Sequence, residues 1–321
     1  MAYYIPNTWV SRQGTGLNRF VDQEGNALFL TSAPTEIVTE GTPFSADWMN
    51  HIEQGVADTS EAVTRANLLH NWDFRSPVNQ RGGSTYSASG AERYSIDRWI
   101  IAAGQVNIHS GYLTLTPAAN GEALFYQRME NGAALVGETV TMSVEIAGTV
   151  YGAQFVVPES GHIVKNVTDN VRLDINYTAG YLSFGIRADA VMSFTRAKVE
   201  LGTVSTLEND GPMDRQAQTL ICLRYFYRRN TPVAVYCNFV DGTFSVHVCL
   251  VSEYPVSMRT VPTITFDGPY LRNWKDSTDT DITFTINTVR NDGIYSVNGG
   301  TQTCVQGTLY LLPSYDASAD L

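Results

Sequence analysis

The sequence has little positive charge and no long apolar run, and these absences exclude several functions. Its 321 residues carry 21 Lys and Arg against 32 Asp and Glu, a formal net charge of −11. Nucleic-acid binding needs cations clustered at the phosphates, so we expect no nucleic-acid partner. No apolar run approaches the ~18 residues of a membrane span, and no basic stretch leads into an apolar one at the N-terminus. We therefore expect no membrane insertion, no secretion signal and synthesis in a cytosol.

Metal and catalytic motifs are missing as well. The four cysteines form no CxxC motif and predict buried free thiols: Cys222, Cys237, Cys249 and Cys304. The histidines have no metal-ligand spacing, and no GxSxG, HExxH, P-loop or GxGxxG motif occurs. A glycan hydrolase would need two carboxylates at a fixed separation, with Asp97, Glu145, Asp174 and Glu200 as candidates. We predict that the protein is not an enzyme.

What the sequence does contain indicates a β-rich protein. Apolar residues make up 43% and aromatic residues 11% of the chain, which excludes global disorder. The charged fraction is only 17%, and 17 Tyr and 13 Phe are present. This mixture favours β-sandwiches over helical bundles, so the predicted fold class is mainly β.

One segment, GTPFSADWMNHIEQGVADTSEAVTRA at 41–66, is predicted to be helical. Ser45 is a plausible N-cap, and Asp47 suits the positive end of the helix dipole. Residues spaced alternately by three and four form a narrow seam of coiled-coil type: Met49, Ile52, Val56, Thr59, Val63 and Ala66. A helix of about 20 residues with so narrow a seam is marginal alone. It needs either its own domain or copies of itself, and we predict self-association.

Turn and strand signals divide the chain into five parts. We predict an N-terminal hairpin region at 1–44, the short coiled-coil helix at 45–66, a jelly-roll β-sandwich at 67–202, a polar Gly/Pro linker at 203–213 and a second β-domain at 214–321. The jelly roll is predicted from seven spaced strand candidates: 104–108, 112–116, 123–128, 139–147, 152–157, 171–176 and 182–187. The last domain is expected to begin with a short helix that Asp214 caps.

The N-terminal segment resembles the start of many bacteriophage tail and fibre proteins. The residues that carry the resemblance are Trp9, Arg12, the turn EGN at 24–26, and EGTP at 40–43 leading into NHIEQG at 50–55. This resemblance implies attachment, through the N-terminus, to a tail or baseplate protein of a phage or a phage-like particle. The implied location is the virion tail, assembled in the cytoplasm of a bacterial host.

The next part resembles the carbohydrate-binding-module-like jelly roll of phage tail proteins. The matching motifs are NLLHNWDF at 67–74, PVNQRG at 77–82, YSIDRW at 94–99 and KVELG at 198–202. The family implies core positions for Trp72, Phe74 and Trp99. Sugar binding would use aromatic faces, with Tyr126, Tyr151 and Tyr181 as candidates and Tyr86 and Tyr177 also available. Some modules of this type hold a structural calcium, for which Asn71, Asp73 and Glu200 are the candidate ligands.

The last part resembles the C-terminal domain of many tail fibres. The motifs are CLRYFYRR at 222–229, PVSMRTVPT at 255–263 and the acidic ending DASADL. We expect a polar aromatic loop at 270–276, with candidate binding residues Tyr270, Arg272, Asn273 and Trp274, unless Trp274 packs into the core. Together the resemblances predict a homotrimeric receptor-binding protein that attaches the particle to a bacterial surface polysaccharide. The alternatives are a tail or baseplate spacer without a ligand and a glycan-degrading tail hydrolase.

Overall fold

The structure is a computed structural model that describes most of the chain beyond residue 45. The described residues are 20–21, 27–28, 46–62, 65–88, 90–119, 121–178, 180–231, 233–236, 245–267, 270–273, 277, 279–281, 285–301, 309–312 and 314–320. Strands make up most of the described secondary structure, helical segments are few, and several antiparallel sheets are present. The predicted mainly-β fold class is therefore confirmed.

The chain divides into two compact units, residues 1–64 and 65–321. In the first unit, β1 (Phe20–Val21) pairs with β2 (Ala27–Leu28) and is followed by helix α1 (Ala46–Ala62). The predicted N-cap Ser45 and most of the predicted attachment region 1–44 lie outside the described residues.

The predicted helix is present, and part of its seam is open to solvent. Ile52 is 50% exposed and Val56 is 44% exposed, whereas Met49 is half-buried. Thr59 lies in α1, but its side chain is not among those that the structure describes. Val63 lies outside the described residues. The prediction that the helix continues to Ala66 is wrong. The amide of Arg65 bonds to Thr206 Oγ1 at 3.2 Å instead of a helical carbonyl, so Ala66 does not belong to the helical seam.

Among the described residues of 65–202, the second unit begins with thirteen strands, which include all seven predicted in this region, with small shifts at their ends. Their bounds are β3 Thr85–Ser87, β4 Arg93–Tyr94, β5 Ile100–Ala103, β6 Gln105–His109, β7 Tyr112–Thr116, β8 Ala123–Met129, β9 Thr139–Ile146, β10 Thr149–Val156, β11 Gly161–Asn166, β12 Val171–Thr178, β13 Tyr181–Ala188, β14 Met192–Phe194 and β15 Arg196–Leu201. A short 3-10 helix, Gly132–Leu135, lies between β8 and β9.

These strands form three antiparallel sheets around one core. A six-stranded sheet has the order β11-β12-β13-β8-β5-β4, a four-stranded sheet the order β14-β7-β6-β3, and a three-stranded sheet the order β10-β9-β15. Apolar side chains alternate with polar ones along most strands, and those of all three sheets meet in one cluster. Trp99 stacks on Phe125 at a centroid distance of 4.7 Å, and Phe74 contacts Trp99 edge-on at 5.2 Å. Trp72, Phe74 and Trp99 are all buried, as predicted.

The segment 203–213 is packed against the molecule, contrary to the prediction of a linker. It contains a 3-10 helix, Leu207–Asn209, and both Thr206 and Leu207 are buried. The ammonium of Lys198, fully buried in β15, donates to Thr206 Oγ1 at 2.9 Å and to Asp210 Oδ1 at 2.6 Å. Glu200, also fully buried, accepts the amide and hydroxyl of Thr206 at 2.6 and 2.7 Å. The polar residues of this segment are thus the partners of charged side chains on the sheet.

Among the described residues beyond 213, the chain continues with helix α2 and ten further strands. Their bounds are α2 Arg215–Leu223, β16 Phe226–Arg229, β17 Val233–Tyr236, β18 Ser245–Glu253, β19 Thr263–Phe266, β20 Tyr270–Asn273, β21 Asp279–Asp281, β22 Thr285–Arg290, β23 Gly293–Thr301, β24 Leu309–Leu312 and β25 Tyr315–Ser318. They form sheets of order β16-β25-β19, β17-β24-β20-β21 and β18-β23-β22. Asp214 caps α2 as predicted, since its carboxylate accepts the amides of Gln216 and Ala217.

A buried cation joins the beginning of the second unit to the segment after α2. Arg98 has φ 74° and lies with its guanidinium 3.6 Å from the ring centroid of Tyr225. It donates to the carbonyl of Arg128 at 2.7 Å and to His70 Nδ1 at 3.4 Å. Burial, and then the charge of Arg98, lower the pKa of His70 from 6.5 to about 4. His70 is therefore neutral at pH 7 and accepts the Arg98 hydrogen bond.

Two further expectations can be compared with the structure. Cys222 is a buried free thiol, as predicted, and burial raises its pKa. Cys237 and Cys304 lie outside the described residues, as does the side chain of Cys249. Among the helices of the described ranges, none combines the length and apolar character needed to cross a bilayer.

Candidate ligand-binding groove

The outer face of the six-stranded sheet carries a groove of about 360 Å³, which we call the outer-face groove. This size falls within the roughly 300–1,000 Å³ typical of small-molecule sites. The groove is lined by residues of the central strands and of the segment before β4: Glu92, Leu124, Tyr126, Arg128, Asp174, Asn176, Thr178, Tyr181, Ser183, Gly185 and Arg187.

Strand alternation explains why these side chains share one face. In β13, Leu182, Phe184 and Ile186 enter the core, so the residues between them face outward. Cross-strand pairing then aligns Tyr126 on β8 with Gly185 on β13 and Asp174 on β12. A Cβ on Gly185 would lie 3.2 Å from the Cβ of Tyr126 and 3.4 Å from that of Asp174. The glycine therefore keeps the floor of the groove open.

Two of the predicted sugar-binding tyrosines meet in this groove. Tyr181 is 46% exposed, whereas Tyr126 is buried with its hydroxyl 3.1 Å from Nη2 of Arg128. The guanidinium of Arg128 lies 5.7 Å from the ring centroid of Tyr126 and 5.8 Å from that of Tyr181. Burial, and then the nearby Glu92, raise the pKa of Tyr126, so its hydroxyl stays protonated at neutral pH.

The charged side chains of the groove are bonded to one another. Arg128 Nη2 donates to Glu92 Oε2 at 2.7 Å, and Arg187 Nε donates to Asp174 Oδ2 at 2.7 Å. His162 Nε2 on β11 lies 2.6 Å from the other oxygen of Asp174. The groove thus presents two arginines and two carboxylates in fixed pairs, beside one exposed aromatic ring.

The other predicted binding residues lie elsewhere. Tyr151 is half-buried in β10 of the three-stranded sheet and packs against the core, so it does not contribute to the groove. The predicted loop at 270–276 is wrong for its first four residues, because Tyr270–Asn273 form β20 and pair with β21 and β24. In this strand Arg272 is exposed and Asn273 is half-buried. The side chain of Tyr270 is not among those that the structure describes, and Trp274 lies outside the described residues.

The predicted calcium ligands all have protein partners. Asn71 bonds two backbone carbonyls and one backbone amide through its side-chain amide. Both oxygens of Asp73 accept hydrogen bonds from Arg75, and both oxygens of Glu200 accept from Thr206. Within the described ranges, no three or more His, Cys, Asp and Glu side chains are grouped so as to hold a metal ion.

Two other depressions are less suited to a sugar. One, of about 320 Å³, lies on the β16-β25-β19 sheet, where Arg228 and Asp316 form a two-bonded ion pair at 2.7 and 2.6 Å. The other, of about 440 Å³, is an open apolar patch around Tyr112, Val191 and Met192. Neither combines a strongly exposed aromatic face with several polar side chains, as the outer-face groove does.

Sequence reasoning missed most of the polar residues of the groove. Glu92, Arg128, Asn176, Gly185 and Arg187 were not predicted as site residues, although alternation within 181–187 marks Ser183, Gly185 and Arg187 as one face. A search of protein-family models, curated proteins and solved structures with this chain finds no match in any of the three.

Proposed function

We propose that this chain is a receptor-binding protein of a phage or prophage tail, which attaches the particle to a bacterial surface glycan through the outer-face groove. The observation that carries this proposal is the combination of an exposed Tyr181 with paired polar side chains in one groove. The sequence resemblance to tail proteins and to carbohydrate-binding jelly rolls supports the same function. The protein binds its glycan without cleaving it, and needs no cofactor.

Sugar recognition in this groove follows from the chemistry of its residues. A sugar ring has apolar C–H faces surrounded by hydroxyls, so one face stacks on Tyr181. The hydroxyls then meet the Asp174–Arg187 pair and the amide of Asn176, which together offer donors and acceptors. Such a shallow site binds weakly on its own, which suits a protein that acts in several copies.

The proposed assembly is a homotrimer held by α1. Ile52 and Val56 lie one helical turn apart and are half-exposed, so they offer an apolar surface to copies of the same helix. The coiled coil formed in this way would carry three β-rich units side by side. The N-terminal region would dock to the tail or baseplate, and the protein would be located on the virion tail.

A glycan array tests the binding proposal. We expect Tyr181→Ala to reduce the affinity for the bound glycan by about two- to tenfold, since stacking on an aromatic ring is worth about 0.5–1.5 kcal/mol. Tyr112→Ala is the matched control, since Tyr112 is 38% exposed and lies on β7, outside the groove. Equal loss in both variants would contradict a site at Tyr181.

The same experiment separates the alternatives. No array signal for the wild-type chain, together with tight binding to tail or baseplate proteins, would support a spacer without a ligand. Release of reducing sugar from a bound polysaccharide, lost on substitution of one carboxylate, would support a hydrolase.

Light scattering tests the trimer. We expect the full chain to have three times the monomer mass at micromolar concentration, and Ile52→Ser to lower that mass because it places a hydroxyl in the seam. His51→Ser changes an exposed residue of the same helix and serves as the control. A wild-type monomer would refute the proposed assembly.

A further inference from the structure

The charges inside the outer-face groove are balanced by the protein itself. Arg187 is held by Asp174 at 2.7 Å and also contacts Glu122. Arg128 is held by Glu92 at 2.7 Å. The groove therefore presents no excess positive charge for an acidic ligand, although two arginines line it.

The two ion pairs differ in how they are enclosed. The side chains of Arg187 and Asp174 are 15% and 6% exposed, so this pair belongs to the wall of the groove. The side chains of Arg128 and Glu92 are 27% and 51% exposed. Glu92 is thus an accessible carboxylate, placed before β4 and outside the central strands that carry the other charged lining residues.

We propose that Glu92 sets the charge selectivity of the groove, so that it takes an uncharged saccharide and excludes sugars that carry a carboxylate. This inference rests on the proposed glycan-binding function. A carboxylate on the ligand would have to displace Glu92 from Arg128, or lie close to both Glu92 and Asp174 at the cost of like-charge repulsion. A neutral sugar meets neither penalty.

The position of Arg128 makes its partner important. Its guanidinium lies 5.8 Å from the ring centroid of Tyr181, the exposed platform of the groove. A sugar stacked on that ring brings its substituents close to Arg128. A guanidinium binds a carboxylate with two parallel hydrogen bonds, so Arg128 would also attract a carboxylate on the sugar. Because Glu92 already pairs with Arg128, the groove accepts an uncharged substituent there instead.

The experiment uses matched pairs of oligosaccharides on an array. Each pair holds a neutral oligosaccharide and a counterpart with a carboxylate in place of the exocyclic hydroxymethyl group. The full-length wild type should bind the neutral member more strongly by up to about fivefold, the upper end of what one accessible ion pair contributes. Glu92→Gln should reduce this preference for the neutral member by up to about fivefold, because Arg128 loses its carboxylate partner and can pair with the carboxylate of the ligand.

Glu138→Gln is the matched control, since it makes the same charge change at an exposed residue outside the groove. It should leave the ratio unchanged. Binding of carboxylated oligosaccharides by Glu92→Gln should fall at high salt, because salt screens the attraction to Arg128. Binding of neutral oligosaccharides by the wild type should change little with salt.

Each outcome has a definite meaning. If the wild type prefers the carboxylated member, the inference is overturned while glycan binding stands, and this result needs no variant. If Glu92→Gln melts at the wild-type temperature but keeps the wild-type ratio, Glu92 does not set the selectivity. If the wild type binds no member of any pair, the proposed function fails and the inference fails with it.

Discussion

Replacement of Lys198 by Met should destabilise the protein strongly, because this lysine holds the segment 203–213 on the β9–β15 sheet. Its side chain is 0% exposed, and its ammonium lies 2.6 Å from Asp210 and 3.9 Å from Glu200. Methionine has nearly the same length and is apolar, so the substitution removes the charge and its hydrogen bonds with little change in volume.

The size of the destabilisation by Lys198→Met follows from the carboxylates of Asp210 and Glu200, which remain in the protein interior. Asp210 is 6% and Glu200 is 0% exposed in their side chains, so neither gains full hydration when the ammonium is removed. Breaking a buried ion pair by removal of one partner costs about 3–5 kcal/mol. Lys198→Met with Asp210→Asn should cost less than the sum of the two single substitutions, by about 1 kcal/mol or more, because the uncompensated charge of Asp210 is gone and only that of Glu200 remains.

Urea unfolding at pH 7, followed by circular dichroism, measures these costs. Lys165→Met is the control, since Lys165 is exposed and the same exchange there should change the unfolding free energy by about 0.5 kcal/mol or less. A protease specific for Glu should also cut after Glu208 faster in the Lys198 variant. A cost below about 1 kcal/mol with no change in cleavage would show that Lys198 does not hold the segment.

Two further predictions concern acid stability and the groove floor. Because the pKa of His70 is lowered to about 4, its stabilising effect is present above 6.5 and lost as the pH falls towards 4. Urea unfolding should therefore show that the free energy of unfolding of His70→Gln, relative to that of the wild type, rises by up to about 3 kcal/mol when the pH is lowered from 7 to 4. If the difference between the two proteins is the same at both pH values, His70 does not have this effect. Gly185→Ala places a methyl group 3.2 Å from Leu124 Cδ1 and Tyr126 Cβ. It should cost about 1–3 kcal/mol in thermal unfolding and weaken glycan binding, whereas unchanged binding would place the sugar elsewhere.

The strands that sequence reasoning located well are those with a clear local signal. Thr139–Ile146 places Val140, Met142 and Val144 on one face, and this alternation identifies β9 without knowledge of its neighbours. Two-residue strands such as β4 have no such signal, because they are too short to show a period.

The errors arose where a distant partner decides the structure. The stretch 270–273 was predicted to be a loop because of its polar residues, yet pairing of Arg272 with Leu311 on β24 makes it a strand. The stretch 203–213 has the composition of a linker, but its polar side chains bond to Lys198 and Glu200. Such pairings depend on sequence-distant contacts, which local composition does not report.

The candidate site was predictable only in part, for the same reason. The aromatic residues Tyr126 and Tyr181 could be proposed from residue type alone. The contact of Arg128 with Glu92 joins positions 36 residues apart, and that of Arg187 with Glu122 joins positions 65 apart. No local period connects them, so the charge balance of the groove became visible only with the folded sheet.

The ion pairs of the outer-face groove also affect how fast a ligand can come and go. Since Arg187 is already held by Asp174 and Glu122 before any ligand arrives, a ligand there finds a rigid surface and little rotamer entropy is lost on contact. Because no conformational change has to precede contact, association at such a surface is not slowed by one. In the proposed attachment function, a particle carrying many such surfaces would move across a cell by exchanging one contact for the next, and would stay bound only where several contacts form together.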